Sequence, residues 1–177
     1  MEQCTIISST NRPGSFSLRF SALYRDLMGS KSQLETKILS LESLPPTFAF
    51  DNCFGKRTPD FEVLLENYIV NAQRFVFVIP EYNGSFPGIL KSFLDASQPK
   101  SWYGKKAALI GVSQGRAGNL RGIEQFTLIL QHLRMHVYFY KLPVSNIEKI
   151  IGQNPSLPIP EEMISLLNLH INGFCSF

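Results

Sequence analysis

"ALIGVSQGRAG", residues 108–118, begins as an uninterrupted apolar run and then breaks into glycine and polar residues. Extended upstream by Ala107, the run is too short for a core-crossing helix and suits a strand buried on both faces. Its break admits two readings. Gly111, Ser113 and Gly115 have the G-x-S-x-G spacing of a nucleophile elbow, in which a serine sits on a sharp strand-to-helix turn. The same residues suit a glycine-relieved loop at the carboxyl end of a strand, where an open α/β sheet holds a planar cofactor against backbone groups. Both readings need a strand-loop-helix unit, so the stretch fixes the fold class while leaving the chemistry open.

Working outward, short runs rich in Ile, Val and Phe alternate with stretches of helical period, the pattern of successive β-α units. Strands are expected at residues 4–8, 37–41, 75–79, 107–112 and 136–140. Helices are expected at 15–28, 60–72, 87–97, 119–134 and 160–172. "FVFVI" and "AALIGV" are apolar at every position, as strands covered by helices on both faces should be. The expectation is a three-layer α/β sandwich on a five-stranded parallel sheet. Residues 43–59, "SLPPTFAFDNCFGKRTP", are read as one long loop.

The chain has 177 residues, one domain's worth, and residues 1–177 are expected to form a single domain. A formal charge of +3 without a Lys/Arg track argues against nucleic acid as partner. Cys4, Cys53 and Cys175 are scattered without metal-ligand or disulfide spacing, which fits a reducing compartment. "MEQCTIISST" lacks the charged start and long apolar run of a signal peptide, and no stretch reaches membrane-spanning length. A cytoplasmic protein with no membrane partner is expected. His132 and His136 are spaced i, i+4, but no third ligand accompanies them, so no metal is expected.

A sheet of this kind binds ligands at the carboxyl ends of its strands. After the first strand, "SSTNRPGSFS" offers the hydroxyls of Thr10, Ser15 and Ser17, the guanidinium of Arg12 and the free N–H groups of a helix start. That set suits a terminal monophosphate. Neither the P-loop nor the G-x-G-x-x-G spacing is present. The plainer alternative is that Ser15 only caps the helix and Arg12 is a solvated surface residue. After the third strand, "IPEYNGSFPGILKSFLD" has prolines at Pro80 and Pro87 and the turn pair Asn83-Gly84. A rigid loop with outward amides follows, with Tyr82 as an aromatic surface, or else a plain turn with Glu81 as solvated charge.

"PEYNGSFPGILKSFLD" resembles the PEYNGS-x-PG-x-LK-x-x-x-D signature of the NAD(P)H-dependent FMN reductase family, flavodoxin-like enzymes that include quinone, azo-dye and chromate reductases. "STNRPGSFS" is similar to that family's phosphate loop and "GVSQGRAGNLRG" to its glycine-rich third loop, so the resemblance spans essentially the whole chain. It implies a flavodoxin-like fold and FMN as cofactor, its phosphate on Thr10, Arg12, Ser15 and Ser17. Pro80, Glu81, Tyr82, Asn83 and Gly84 would border the isoalloxazine, with Ser113, Gly115 and Gly118 on its other side. It also implies NAD(P)H as co-substrate, a small-molecule electron acceptor (quinone, azo compound, metal oxyanion or free flavin), and a homodimer or homotetramer. Thr10 stands where the family commonly has Ser, Ser17 replaces a frequent Asn, and Ala96 follows Asp95 where a tryptophan is usual.

A serine hydrolase would need an acid and then a histidine downstream of Ser113. No Asp follows Asp95, and the only histidine after Glu148 is His170, inside the last helix. An electron-carrying flavodoxin shares the fold and cofactor, but such carriers are typically acidic. A regulatory protein on the same fold is a third class. The reading taken forward is an FMN-dependent oxidoreductase.

Overall fold

The computed structural model describes residues 2–152 and 158–177. In chain order it contains β1 (Gln3–Ser8), α1 (Phe16–Gly29), β2 (Glu35–Ser40), α2 (Phe48–Asn52), α3 (Pro59–Leu65), β3 (Arg74–Pro80) and α4 (Gly88–Ala96). There follow β4 (Lys106–Val112), α5 (Leu120–His132), β5 (His136–Val137), β6 (Leu142–Val144), α6 (Ile147–Ile150) and α7 (Glu161–Ser176). The strands lie in the order β2-β1-β3-β4-β5, with β6 pairing β4 further along the same edge. All these pairings are parallel. This is the flavodoxin-like doubly wound order, whose topological switch point falls between β1 and β3.

The period of two along each strand explains why the central strands are apolar throughout. Phe75, Phe77, Ile79, Ala107 and Leu109 face one core, filled from outside by Phe61 of α3, Leu90 and Phe93 of α4, and Ile123 and Phe126 of α5. Val76, Val78, Ala108, Ile110 and Val112 face the other, closed by Phe20 and Tyr24 of α1 and by Leu167, Ile171 and Phe174 of α7. Each side chain leaves water on its own face, at about 1.5–3 kcal/mol for a fully buried large aliphatic or aromatic residue.

Three expectations need correction. The expected fifth strand at 136–140 ends at Val137, and the same edge resumes only beyond the expected span, at β6, residues 138–141 standing opposite only Ala108 and Leu109 of β4. The departure follows from packing. Tyr138 turns its ring into the core against His170 and Phe174, with its hydroxyl where a Cβ at Gly173 would stand, and Phe139 is thrown into solvent. The expected helix at 60–72 is α only to Leu65 and continues as a π-turn over Glu66–Val70, whose last carbonyls, of Ile69 and Val70, accept from Lys105 Nζ at 2.5 and 2.9 Å. The segment read as loop at 43–59 contains α2, anchored by Phe48 packing on Phe61 at 5.0 Å and closed by Asn52 Oδ1, which accepts the Thr58 N–H at 2.9 Å.

Candidate functional site

Loops following β1, β3 and β4 meet at the carboxyl end of the sheet and enclose a cleft of about 400 Å³. The first loop leaves β1 with the Ser9 N–H bonded to Val78 O at 3.0 Å, which fixes its exit beside β3. Thr10 Oγ1 accepts the Arg12 N–H at 3.2 Å and pairs with Tyr82 Oη at 2.6 Å. Ser15 has extended backbone and accepts the Leu18 N–H at 3.3 Å, a helix N-cap that leaves its own hydroxyl hydrogen free. Ahead of Leu18, the N–H groups of Phe16 and Ser17 open α1 without intrahelical partners.

The second loop is a tight hairpin. Asn83 and Gly84 have φ of 51° and 76°, and Tyr82 and Ser85 exchange both backbone hydrogen bonds, at 2.9 and 3.1 Å, the geometry of a type I′ turn. Glu81 N–H bonds to Val112 O at 3.1 Å, so this hairpin is pinned to the end of β4. In the third loop, the Ser113 N–H and O bond to Val144 and Ile147 across from it, and Gly115 O accepts both Ser113 Oγ at 3.0 Å and the Asn146 N–H at 3.1 Å.

Thr10, Arg12, Ser15 and Ser17 line the cleft from the first loop. Pro80, Glu81, Tyr82, Asn83 and Gly84 line it from the second, and Ser113 and Gly115 from the third. Gly118 does not. Its backbone, at φ 56°, lies against β6, where a Cβ would come within 2.6 Å of both Pro143 C and Val144 N. Gly118 is therefore a packing glycine, and its carbonyl in turn occupies the space a Cβ on Gly111 would need. Sequence reasoning also missed Asn119. Sitting at φ 58° before α5, it donates through Nδ2 to Ile79 O and Pro80 O, both at 3.0 Å, and so ties the third loop to the second. An asparagine directly after a glycine at a helix start was the available signal. Ile147, which also lines the cleft, was missed with α6.

This geometry disposes of the nucleophile elbow. Ser113 has no positive φ, and α5 starts only at Leu120. Its hydroxyl donates to a backbone carbonyl rather than to an imidazole. His136 stands opposite Lys106, at the other end of β4, roughly 20 Å away at about 3.3 Å per residue. His132 ends α5 on that same distant side, and His170 is fully buried under α1, paired through Nδ1 with Tyr24 Oη at 2.7 Å. Among the described residues no cluster of His, Cys, Asp or Glu could hold a metal ion.

What the cleft can hold is an anion attached to a flat group. Ser17 lines it, and the Ser17 hydroxyl is buried with no hydrogen-bond partner among the described residues. A buried hydroxyl left so costs about 1–3 kcal/mol unless a guest satisfies it. With the Phe16 and Ser17 N–H groups, the positive end of the α1 dipole and Arg12 at the rim, it forms a phosphate-sized donor set. The amides of Asn83 and Gly84, which make no backbone hydrogen bond among the described residues, offer donors for the polar edge of a ring.

Fold and cleft together define a doubly wound α/β protein with a donor-lined cleft at the carboxyl end of its sheet. Residues 3–148 match the model of the NADPH-dependent FMN reductases, and the chain belongs to that family. The family's description names NADPH and FMN. The chain is 34% identical over 106 residues to an NAD(P)H-dependent FMN reductase of Saccharomyces cerevisiae, covering 58% of this chain and 49% of that one. It is 40% identical over 75 residues to a 2-hydroxy-1,4-benzoquinone reductase of a Burkholderia species, covering 37% and 41%. It thus spans about half the length of these curated relatives, or less. The fold is similar to that of an NADH:FMN oxidoreductase in its apo form, with a TM-score of 0.79 at 18% identity over 98% of this chain and 88% of the other.

Arg12 makes no ion pair among the described residues and lines the cleft. Arg12→Ala is expected to weaken FMN binding about tenfold or more, the range of a charge-assisted hydrogen bond, with the unfolding temperature unchanged. Flavin fluorescence titration measures it, and an unchanged dissociation constant removes Arg12 from the site.

Proposed function

We propose that the chain is an oxidoreductase that passes electrons from NAD(P)H, through FMN held in this cleft, to a small oxidant of the quinone kind, with residues 1–177 acting as one flavodoxin-like unit. The observation that carries the reading is the buried, unpartnered hydroxyl of Ser17, a residue at the start of α1 that lines a cleft walled by three pinned loops. When bound, FMN supplies the redox chemistry, taking a hydride from the reduced nicotinamide and releasing two electrons to the oxidant. Arg12, Thr10, Ser15 and Ser17 would hold its phosphate. The Asn83 and Gly84 amides would serve as fixed donors to the polar edge of its ring, favouring negative charge there without reorganisation. Proton transfer by a side chain is not required of the site.

The test is the visible absorption of the purified protein together with NADPH or NADH oxidation in the presence of a small quinone and no partner protein. A flavin spectrum with turnover supports the reductase. Flavin without turnover points to an electron carrier, and a protein that takes up no FMN on titration ends the reading.

The working form proposed is at least a homodimer. Phe50 and Phe54, 84% and 81% exposed, project from the segment around α2 and leave apolar surface that a second copy would cover. Light scattering after size exclusion decides it, and a monomer at micromolar concentration that turns over NADPH would rule it out. The three free cysteines fit the proposed cytoplasmic location, and no helix among the described residues is long and apolar enough to cross a membrane.

A further inference from the structure

The bond between Thr10 and Tyr82 joins the first loop to the second. Thr10 is 1% exposed and its oxygen already accepts the Arg12 N–H. Tyr82 is half-buried, held at the base of the Asn83-Gly84 hairpin by two backbone hydrogen bonds, so its ring is aimed by the turn rather than left to wander. Their oxygens are 2.6 Å apart, and either hydroxyl can donate to the other. If Thr10 donates, the Tyr82 hydrogen is free; if Tyr82 donates, the Thr10 hydrogen is free. In both arrangements the pair presents one uncommitted O–H, polarised by the bond behind it. Ser15, whose hydroxyl hydrogen is free, ends the same loop, and Ser17, whose hydroxyl is buried and unpartnered, opens α1 directly after it; both residues line the same cleft.

Resting on the FMN reading above, we propose that Tyr82 serves the phosphate end of the cleft: its hydroxyl and that of Thr10 act as one donor unit that makes the protein select a phosphorylated flavin over the unphosphorylated one. This differs from the role implied by the family resemblance, in which Tyr82 borders the isoalloxazine. A ring-bordering aromatic contributes equally to FMN and to riboflavin, since the two share the ring. A donor to phosphate contributes to FMN alone. Hydrogen bonds to charged groups are also roughly twice as strong as neutral ones, which makes the difference measurable.

The experiment is titration of the flavin-free protein with FMN and with riboflavin, read by quenching of flavin fluorescence, for the wild type, Tyr82→Phe, Thr10→Val and the double variant. Tyr82→Phe keeps the ring and removes only the oxygen, and its thermal unfolding serves as a check on folding. The expected result is a tenfold to hundredfold weaker FMN complex with riboflavin affinity held within about twofold. The losses from the two single variants should fall short of additive, because each breaks the same unit. Equal weakening toward both flavins, or no weakening toward FMN, overturns the proposal and returns Tyr82 to the ring. A wild type that binds neither flavin overturns the FMN reading itself and the proposal with it, a separate outcome because it appears before any variant is compared.

Discussion

Gly118→Ala is expected to lower the free energy of unfolding by about 2–5 kcal/mol and to take flavin binding with it, whereas Gly115→Val leaves stability within about 0.5 kcal/mol and removes the flavin alone. The two glycines are three residues apart and look alike in the sequence. At Gly118 the backbone is left-handed, φ 56°, which costs an alanine about 1–2 kcal/mol. The new Cβ would also come within 2.6 Å of the backbone of Pro143 and Val144, atoms of β6 that cannot give way cheaply, and overpacking of this sort adds about 1–3 kcal/mol. Moving Gly118 away from β6 loosens the loop that carries Ser113 and Gly115. At Gly115 the φ is not left-handed and an added Cβ meets nothing within 4 Å, so the folded chain accepts a larger residue. Because Gly115 borders the cleft, a branched side chain takes up space meant for the ligand, and FMN should bind about a hundredfold more weakly or worse. Urea unfolding and flavin titration of both variants separate the two roles. Equal stability losses would mean that both glycines are packing residues, and the third loop would then drop out of the flavin site.

That contrast shows what the sequence makes legible. Signals carried by neighbouring residues were readable: the Asn83-Gly84 turn, the hydroxyl-rich run ending in the Ser15 cap, and the two apolar strands split between opposite cores. Signals that depend on a distant partner were not. Gly118 is a glycine because β6 lies on it, and β6 is itself displaced because Tyr138 seats against Gly173 of α7. The aromatic run Tyr138-Phe139-Tyr140 has strand propensity, so the departure from the ladder there is a tertiary override. The four-residue α6 carries too little periodicity to be seen, although Ile147 at its start lines the cleft. Asn119 was hidden for a related reason: its hydrogen bonds run to the end of β3, and the room for its side chain comes from Gly122, one turn on.

The acid limb of stability should be set in large part by His170. This residue is fully exposed in the unfolded chain and fully buried in the folded one, where burial pushes its pKa down to about 4 and the nearby Tyr140 backbone only partly offsets the effect. Neutral imidazole is what the site accommodates. Nδ1 pairs with Tyr24 Oη at 2.7 Å, rings of Tyr138 and Tyr140 stand 5.6 and 5.7 Å away, and no carboxylate answers Nε2 among the described residues. Because the folded pKa lies below the ordinary value of 6.5, the unfolded chain takes up the proton first as pH falls. Stability from keeping His170 neutral is then fully present above about pH 6.5, declines between 6.5 and 4, and is gone below about 4. Over that window the loss approaches about 3 kcal/mol, since each pH unit crossed costs about 1.4 kcal/mol. His170→Phe should be less stable than wild type at pH 7, since it leaves the Tyr24 hydroxyl unpaired, yet its stability should fall less steeply from pH 6.5 to 4. Carboxylates titrate alike in both proteins, so the difference in slope isolates the imidazole. Parallel slopes in urea unfolding across that range would show that His170 keeps its proton-binding properties on folding, and the core between α1 and α7 would then have to admit a charge.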